Sequence, residues 1–341
     1  MGVDYGHGDD LHKYHTTEFK ANFSSNVWYK GAPKSLKDHL SKKIDRIENY
    51  PAPNAEESTK IIEEHHKTAS NSILITNGAT EAFYLITNTF HGTSVTICNP
   101  SFSEYELASR VNKLTIEYID RKAIIAHIFT TKIAFICNPN NPDGTETTPE
   151  EVEQLILKFP ETIFIIDEAY IEFSNSSISC ISLLEKHENI ILIKSVTKLF
   201  CIPGLRLGYV ISNPRLIKKI GNHKMPWNVN SLALYAADFI FNNYESLYPD
   251  FKTCFTLTSN LKESINNLDG FSVVPANTTY FLIRLDKPVA KELKLYLVNQ
   301  HQLLVRNAAN FNNLDEHYIR VATQTSEKNQ LLLNALQQWT F

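Results

Sequence analysis

Short apolar runs alternate with amphipathic stretches between about residues 70 and 215 of the chain. Ser72–Thr76, Ser94–Cys98, Ile133–Cys137, Thr162–Ile166 and Ile190–Ile193 are nearly continuous in β-branched and other apolar side chains. Runs of this kind fit strands covered on both faces, where no side faces water and alternation disappears. Helical patterns lie between them. In Thr80–Phe90 the apolar positions are Phe83, Leu85, Ile86 and Phe90. Thr148-Pro149-Glu150-Glu151 supplies a capping threonine, a proline at the first helical position and a glutamate placed for a capping box. Strand–helix alternation predicts a mostly parallel sheet with right-handed crossovers.

The last third differs. Leu232–Phe241 and Phe255–Leu268 read as helices, and Tyr280–Leu285, Leu303–Arg306 and Tyr318–Ala322 as strands. A final helix from Ser326 carries Leu331, Leu332, Leu333 and Leu336. This predicts a smaller α+β domain over 226–341, after a large domain over 51–225. Residues 1–50 are polar and turn-rich, and are expected to pack beside the small domain or a partner subunit. No internal repeat is visible.

Composition excludes some classes. The net charge of −4 gives no basic field for nucleic acid. No window approaches 18 consecutive apolar residues, so no membrane span is expected. Met1-Gly-Val-Asp-Tyr lacks a signal-peptide core. The five cysteines form no C-x-x-C pair and are expected as reduced thiols in a cytoplasmic protein. No metal site is expected.

Unusual residues gather at strand ends, where open α/β sheets hold ligands. Asn77-Gly78-Ala79-Thr80-Glu81 opens a helix; it suits an anion at the free N–H groups, or an ordinary capped helix. Asn138-Pro139-Asn140-Asn141-Pro142-Asp143-Gly144-Thr145 follows another strand and alone reads as a turn. Asp167-Glu168-Ala169-Tyr170 puts a carboxylate at a buried strand end, which demands a partner. A protonated pyridine nitrogen suits it; a helix cap is the alternative. In Ser195-Val-Thr197-Lys198-Leu-Phe-Cys-Ile-Pro203-Gly204-Leu-Arg206-Leu-Gly208-Tyr209, two hydroxyls, a lysine and an arginine suit a Schiff base to pyridoxal phosphate with its phosphate held nearby.

Taken in order, these segments resemble fold-type I pyridoxal-phosphate enzymes, the aspartate aminotransferase family in its class I/II branch, over about residues 20–330. The resemblance implies an α/β fold with a mostly parallel seven-stranded sheet, a small α+β domain, pyridoxal 5'-phosphate as cofactor, and a homodimer with shared sites. It implies that Lys198 is the Schiff-base lysine and proton shuttle and that Asp167 partners the pyridine nitrogen. Asn141 and Tyr170 would bind the ring hydroxyl. Gly78, Ala79, Thr80, Ser195, Thr197 and Arg206 would cradle the phosphate. Phe102 would stack on the ring, with Tyr105 as the alternative; either also fits core packing. Tyr50 resembles the tyrosine that reaches the neighbouring subunit's phosphate. Arg320, an arginine in an apolar strand, resembles the family's ligand for the substrate carboxylate. Asp143 stands where threonine is usual.

Two subfamilies with small phosphorylated substrates come nearest. Gly6-His7-Gly8, Asn22-Phe23-Ser24-Ser25-Asn26 and Leu303-Leu-Val-Arg306-Asn-Ala-Ala-Asn310-Phe311 resemble threonine-phosphate decarboxylases of cobalamin biosynthesis more than histidinol-phosphate aminotransferases. Val27 and Asn313 depart from that pattern, standing where proline and glycine are usual. The resemblance makes His7 and Arg306 ligands of a substrate phosphate and Asn26 a ligand near its carboxylate. A non-catalytic cofactor-binding sensor is the remote alternative.

Overall fold

The computed structural model describes residues 8–14 and 18–340. A two-residue strand β1 (Ala21–Asn22) precedes the large sheet. That sheet contains β2 (Ile73–Asn77), β3 (Ser94–Asn99), β4 (Thr115–Asp120), β5 (Ile133–Cys137), β6 (Ile163–Asp167), β7 (Ile190–Ser195) and β8 (Leu207–Ile211). Its order is β2-β8-β7-β6-β5-β3-β4, and only β8 runs against the rest. The expected α/β fold with a seven-stranded, mostly parallel sheet is therefore present.

Strand periodicity explains its stability. Ala134, Ile136, Phe164, Ile166, Ile190 and Leu192 face one apolar cluster. The intervening Ile133, Phe135, Cys137, Ile165, Ile191 and Ile193 face a second. Both faces are covered, so the central strands carry almost no polar positions. Each fully buried Ile or Phe contributes about 1.5–3 kcal/mol of transfer free energy. The helix Pro149–Lys158 starts with the capping box expected from Thr148 and Glu151.

The C-terminal part forms a four-stranded antiparallel sheet of β9 (Phe271–Val273), β10 (Tyr280–Leu285), β12 (Arg306–Asn307) and β13 (Tyr318–Ala322), in the order β12-β13-β10-β9. The expected strand Leu303–Arg306 is divided at Val305. Its first half, β11 (Leu303–Leu304), pairs in parallel with β1, while β12 pairs with β13. One apolar run thus serves two sheets. The polar N-terminal stretch contains a helix at Lys34–Lys42 that buries only Leu36, so it leaves little hydrophobic signal.

Among the described residues no helix is long and apolar enough to cross a membrane. No cluster of three His, Cys, Asp or Glu among them is disposed to hold a metal.

Candidate active site

The register of the sheet brings several strand ends together. Asp167 lies opposite Cys137 on one side and Ile193 on the other, and Ser195 lies opposite Gly208. The Asp167 carboxylate is buried. Its Oδ2 accepts a hydrogen bond from the Tyr105 hydroxyl at 2.5 Å, and its Oδ1 accepts one from the Ala169 amide at 3.0 Å. Among the described residues no lysine or arginine forms a salt bridge with it. Burial pushes its carboxyl up from an ordinary 3.8 to about 6, against the two hydrogen bonds.

Tyr105 lies on the helix Glu104–Val111. Its ring stacks on Phe135 with centroids 4.8 Å and planes 6° apart. Burial and the neighbouring Asp167 raise its phenol, so it stays a donor. Tyr105 is thus a partner of Asp167, a role the sequence did not reveal. Phe102 lines the cleft and Tyr105 does not.

Lys198 follows β7 in the short helix Val196–Leu199. Its Nζ lies 5.8 Å from the Tyr170 ring centroid. Burial, Arg206 and Arg320 lower the amine to about 8, while Asp167 opposes them. With such a value roughly a tenth of the amine is uncharged at pH 7. Lys262 is also lowered to about 8, by burial. However, its Nζ donates to the carbonyls of Ala276 at 2.6 Å and Thr278 at 3.2 Å, and it does not line the cleft.

Beside Lys198 is an anion cradle. The Asn77 side chain does not cap the helix Gly78–Thr89, and Glu81 Oε2 accepts from the Asn77 amide at 2.6 Å, so the first-turn amides of Ala79 and Thr80 can face another acceptor. Gly78 has φ of 75°, and a Cβ there would lie 2.5 Å from Arg206 Nη2. A Cβ on Gly208 would lie 2.6 Å from the Ala79 nitrogen. The two glycines therefore let helix start, strand and guanidinium nest. Ser195 Oγ and Thr197 Oγ1 are 2.8 Å apart in the same region. Arg206 itself has φ of 59°, a left-handed conformation that aims its side chain back toward the helix start.

A wider cleft of about 370 Å³ opens from these groups. Arg320, on β13, is buried. Its Nη1 donates to Asn141 Oδ1 and its Nη2 to the Ser24 carbonyl at 2.6 Å. Both acceptors are neutral, and among the described residues no carboxylate pairs with Arg320. With Asn141 Oδ1 so engaged, its NH2 remains a donor. Arg306, on β12, is buried and donates to Asn310 Oδ1 at 2.5 Å. Among the described residues, Asn26 Nδ2 and Oδ1 and Arg320 Nε are buried without hydrogen-bond partners. Such orphaned atoms in a cleft point to a ligand.

The structure thus gathers Gly78, Ala79, Thr80, Phe102, Asn141, Asp167, Tyr170, Ser195, Thr197, Lys198 and Arg206 around one pocket, with Asn26, Arg306 and Arg320 at its outer end. Tyr50 is not brought in: it is 86% exposed and lies 5.4 Å from Trp227. His7 lies outside the described residues. Asp143 is accounted for locally, since its Oδ1 accepts from Asn140 Nδ2, Thr145 N and Thr145 Oγ1 at 2.8–3.0 Å and shapes the turn. Glu168 is spent on a buried pair with Lys194 at 2.6 Å.

The family model for aminotransferase class I and II matches residues 18–336, and the chain belongs to that pyridoxal-phosphate-dependent enzyme family. Its cofactor is pyridoxal 5'-phosphate. The anion cradle, the buried Asp167 and the low amine of Lys198 fit that group. The crystal structure of L-threonine-O-3-phosphate decarboxylase from Porphyromonas gingivalis is similar, with a TM-score of 0.90 and 35% identity, covering 93% of this chain and 98% of that one. The threonine-phosphate decarboxylase of Salmonella typhimurium is 28% identical over 92% of this chain and 90% of its own. The histidinol-phosphate aminotransferase of Methanosphaera stadtmanae is also 28% identical, over 94% of this chain and 89% of its own.

Two outcomes follow. Borohydride reduction of the loaded protein should fix the cofactor on Lys198 and leave Lys262 unmodified, as read by peptide mass spectrometry. A label on Lys262 would contradict the assignment. In the cofactor-free protein, Asp167 with its raised value disfavours the folded state above pH 6, and this cost fades as pH falls toward 4. Urea unfolding should show Asp167→Asn gaining roughly 3 kcal/mol on the wild type between pH 4 and 7. A pH-independent difference would refute the burial argument.

Proposed function

We propose that the enzyme decarboxylates L-threonine O-3-phosphate to (R)-1-aminopropan-2-yl phosphate, a step of cobalamin biosynthesis. The observation carrying this reading is the pair of buried arginines, Arg306 and Arg320, lining one cleft with Lys198. A substrate with a carboxylate and a phosphate supplies an anion for each. The 35% identity to the P. gingivalis decarboxylase across nearly both chains supports it.

When bound, pyridoxal phosphate supplies an electron sink for the pair released at Cα. In this reading Asp167 holds the ring nitrogen in its protonated form. Tyr170 and the Asn141 NH2 would donate to the ring hydroxyl, and Phe102 would pack against the ring. Ser195, Thr197, Arg206 and the amides of Ala79 and Thr80 hold the cofactor phosphate. Arg206 is suited to bidentate contact, which a lysine does not offer. Arg320 and Asn26 orient the substrate carboxylate, and that orientation decides which Cα bond breaks. Arg306, together with His7, binds the substrate phosphate. The Cα–carboxyl bond breaks, carbon dioxide leaves, and the ammonium form of Lys198 supplies the proton that replaces it. Tyr50 would complete the site of a second subunit in a homodimer.

The second reading is histidinol-phosphate aminotransferase, since the M. stadtmanae enzyme matches as closely as the Salmonella decarboxylase. A side-by-side assay separates them. O-phospho-threonine should release carbon dioxide without any keto acid. Stoichiometric 2-oxoglutarate consumption with histidinol phosphate would instead establish the transferase. Arg306→Ala should raise KM by about 100-fold, equivalent to roughly 3 kcal/mol for a lost charge-assisted contact, with cofactor loading unchanged.

A further inference from the structure

One wall of the cleft is made by a strap near the N-terminus. Gly8 and Asp9 line it beside Ser24, Asn26 and Arg320. A Cβ on Gly8 would lie 2.3 Å from the Ser24 carbonyl oxygen and 3.3 Å from Arg320 Nη2, so the backbone is pressed against the group that holds Arg320. Asp9 has φ of 62°. The left-handed region costs a residue with a side chain about 1 kcal/mol or more, and it persists only where neighbours impose it.

The fastenings are visible. The Asp9 amide donates to Ser24 Oγ at 2.8 Å, and Asn22 Nδ2 donates to the Asp9 carboxylate at 2.6 Å. Ser24 Oγ donates to Asn22 Oδ1 at 2.7 Å, closing the loop of contacts. Those bonds lie at an exposed or half-buried rim. The deeper anchor is Asp10, which is 6% exposed. Both its oxygens accept from Lys294 Nζ, at 3.0 and 2.9 Å. Lys294 is also buried, on the helix Ala290–His301 beneath the strap. A buried pair is costly to desolvate, and removing one partner is strongly felt. Neither residue lines the cleft. Asp10 follows directly on the Gly8–Asp9 strap.

We propose that the Asp10–Lys294 ion pair is a latch: it holds Gly8–Asp9 as a fixed wall of the cleft and thereby sets how tightly a small phosphorylated amino acid or amine is retained. Asp10 and Lys294 are positioning residues that act through the strap. The inference rests on the preceding reading only in placing the substrate in this cleft.

The test uses the cofactor-loaded enzyme as wild type, Asp10→Asn, Lys294→Met, the reversed pair Asp10→Lys with Lys294→Asp, and the exposed control Lys291→Met. Hydrogen exchange of residues 8–14 is read together with kcat and KM for O-phospho-threonine and for histidinol phosphate. The single variants should exchange faster over 8–14 and raise KM at least about tenfold, with kcat within about threefold and cofactor absorbance unchanged. The reversed pair should recover part of both losses, and the control should match wild type. Wild-type exchange in Lys294→Met, faster exchange with unaltered KM, or loss of the cofactor would each overturn the latch. If wild type turns over only histidinol phosphate, the proposed decarboxylation fails, and the latch is judged on that substrate.

Discussion

A carboxylate at the end of a central strand, shut away from water, must meet a positive charge or hold its proton. Asp167 is in that position. Tyr105 and the Ala169 amide lend it hydrogen bonds, yet burial still raises its carboxyl to about 6. In the same pocket, Lys198 is displaced in the opposite sense, to about 8, by burial and two guanidinium groups. An acid pushed up and an amine pushed down, facing one cleft, form the kind of pairing that binding sites maintain and cores avoid. A cationic ring nitrogen and an aldehyde satisfy both at once. The stacking of Tyr105 on Phe135 matters for the same reason: it fixes a side chain that donates to Asp167.

The fold delivers these groups through backbone geometry. Parallel strands end together, so Asp167 and Ser195 emerge at the same edge of the sheet. The antiparallel β8 returns between β2 and β7, and Gly208 on it permits contact with the start of the helix Gly78–Thr89. Arg206 reaches that helix start from the turn before β8. The outer end of the cleft comes from elsewhere: β12, β13 and the segment around Ser24 supply Arg306, Arg320 and Asn26. The inner and outer parts of the cleft therefore rest on different sheets, joined where Arg320 meets Asn141.

The central strands were legible because burial on both faces leaves an unbroken apolar run, as in Ile133–Cys137. β4 was not, since it is an edge strand whose Thr115-Ile-Glu-Tyr-Ile-Asp120 is mostly exposed or half-buried. β8 was hidden because Gly208 interrupts its apolar run. The residues around the Lys198 pocket were legible because they sit near strand ends and break the apolar pattern. The sequence offers Tyr105 as a ring-stacking residue; only the spatial path of the helix Glu104–Val111 shows its hydroxyl against Asp167, 62 positions further along the chain. Asp10 and Lys294 are 284 positions apart, and no local pattern links them. Asp143, which departs from the family pattern, proves to be a turn-forming acceptor.

The central claim is electrostatic: the buried carboxylate of Asp167 is completed by a positive charge on the cofactor ring. The most direct measurement is the nitrogen-15 chemical shift of ring-labelled pyridoxal phosphate bound to the protein near neutral pH, in wild type and Asp167→Asn. The account requires a protonated-pyridine shift in the wild type and a neutral-pyridine shift in the variant. A neutral ring nitrogen beside an intact Asp167 would contradict it.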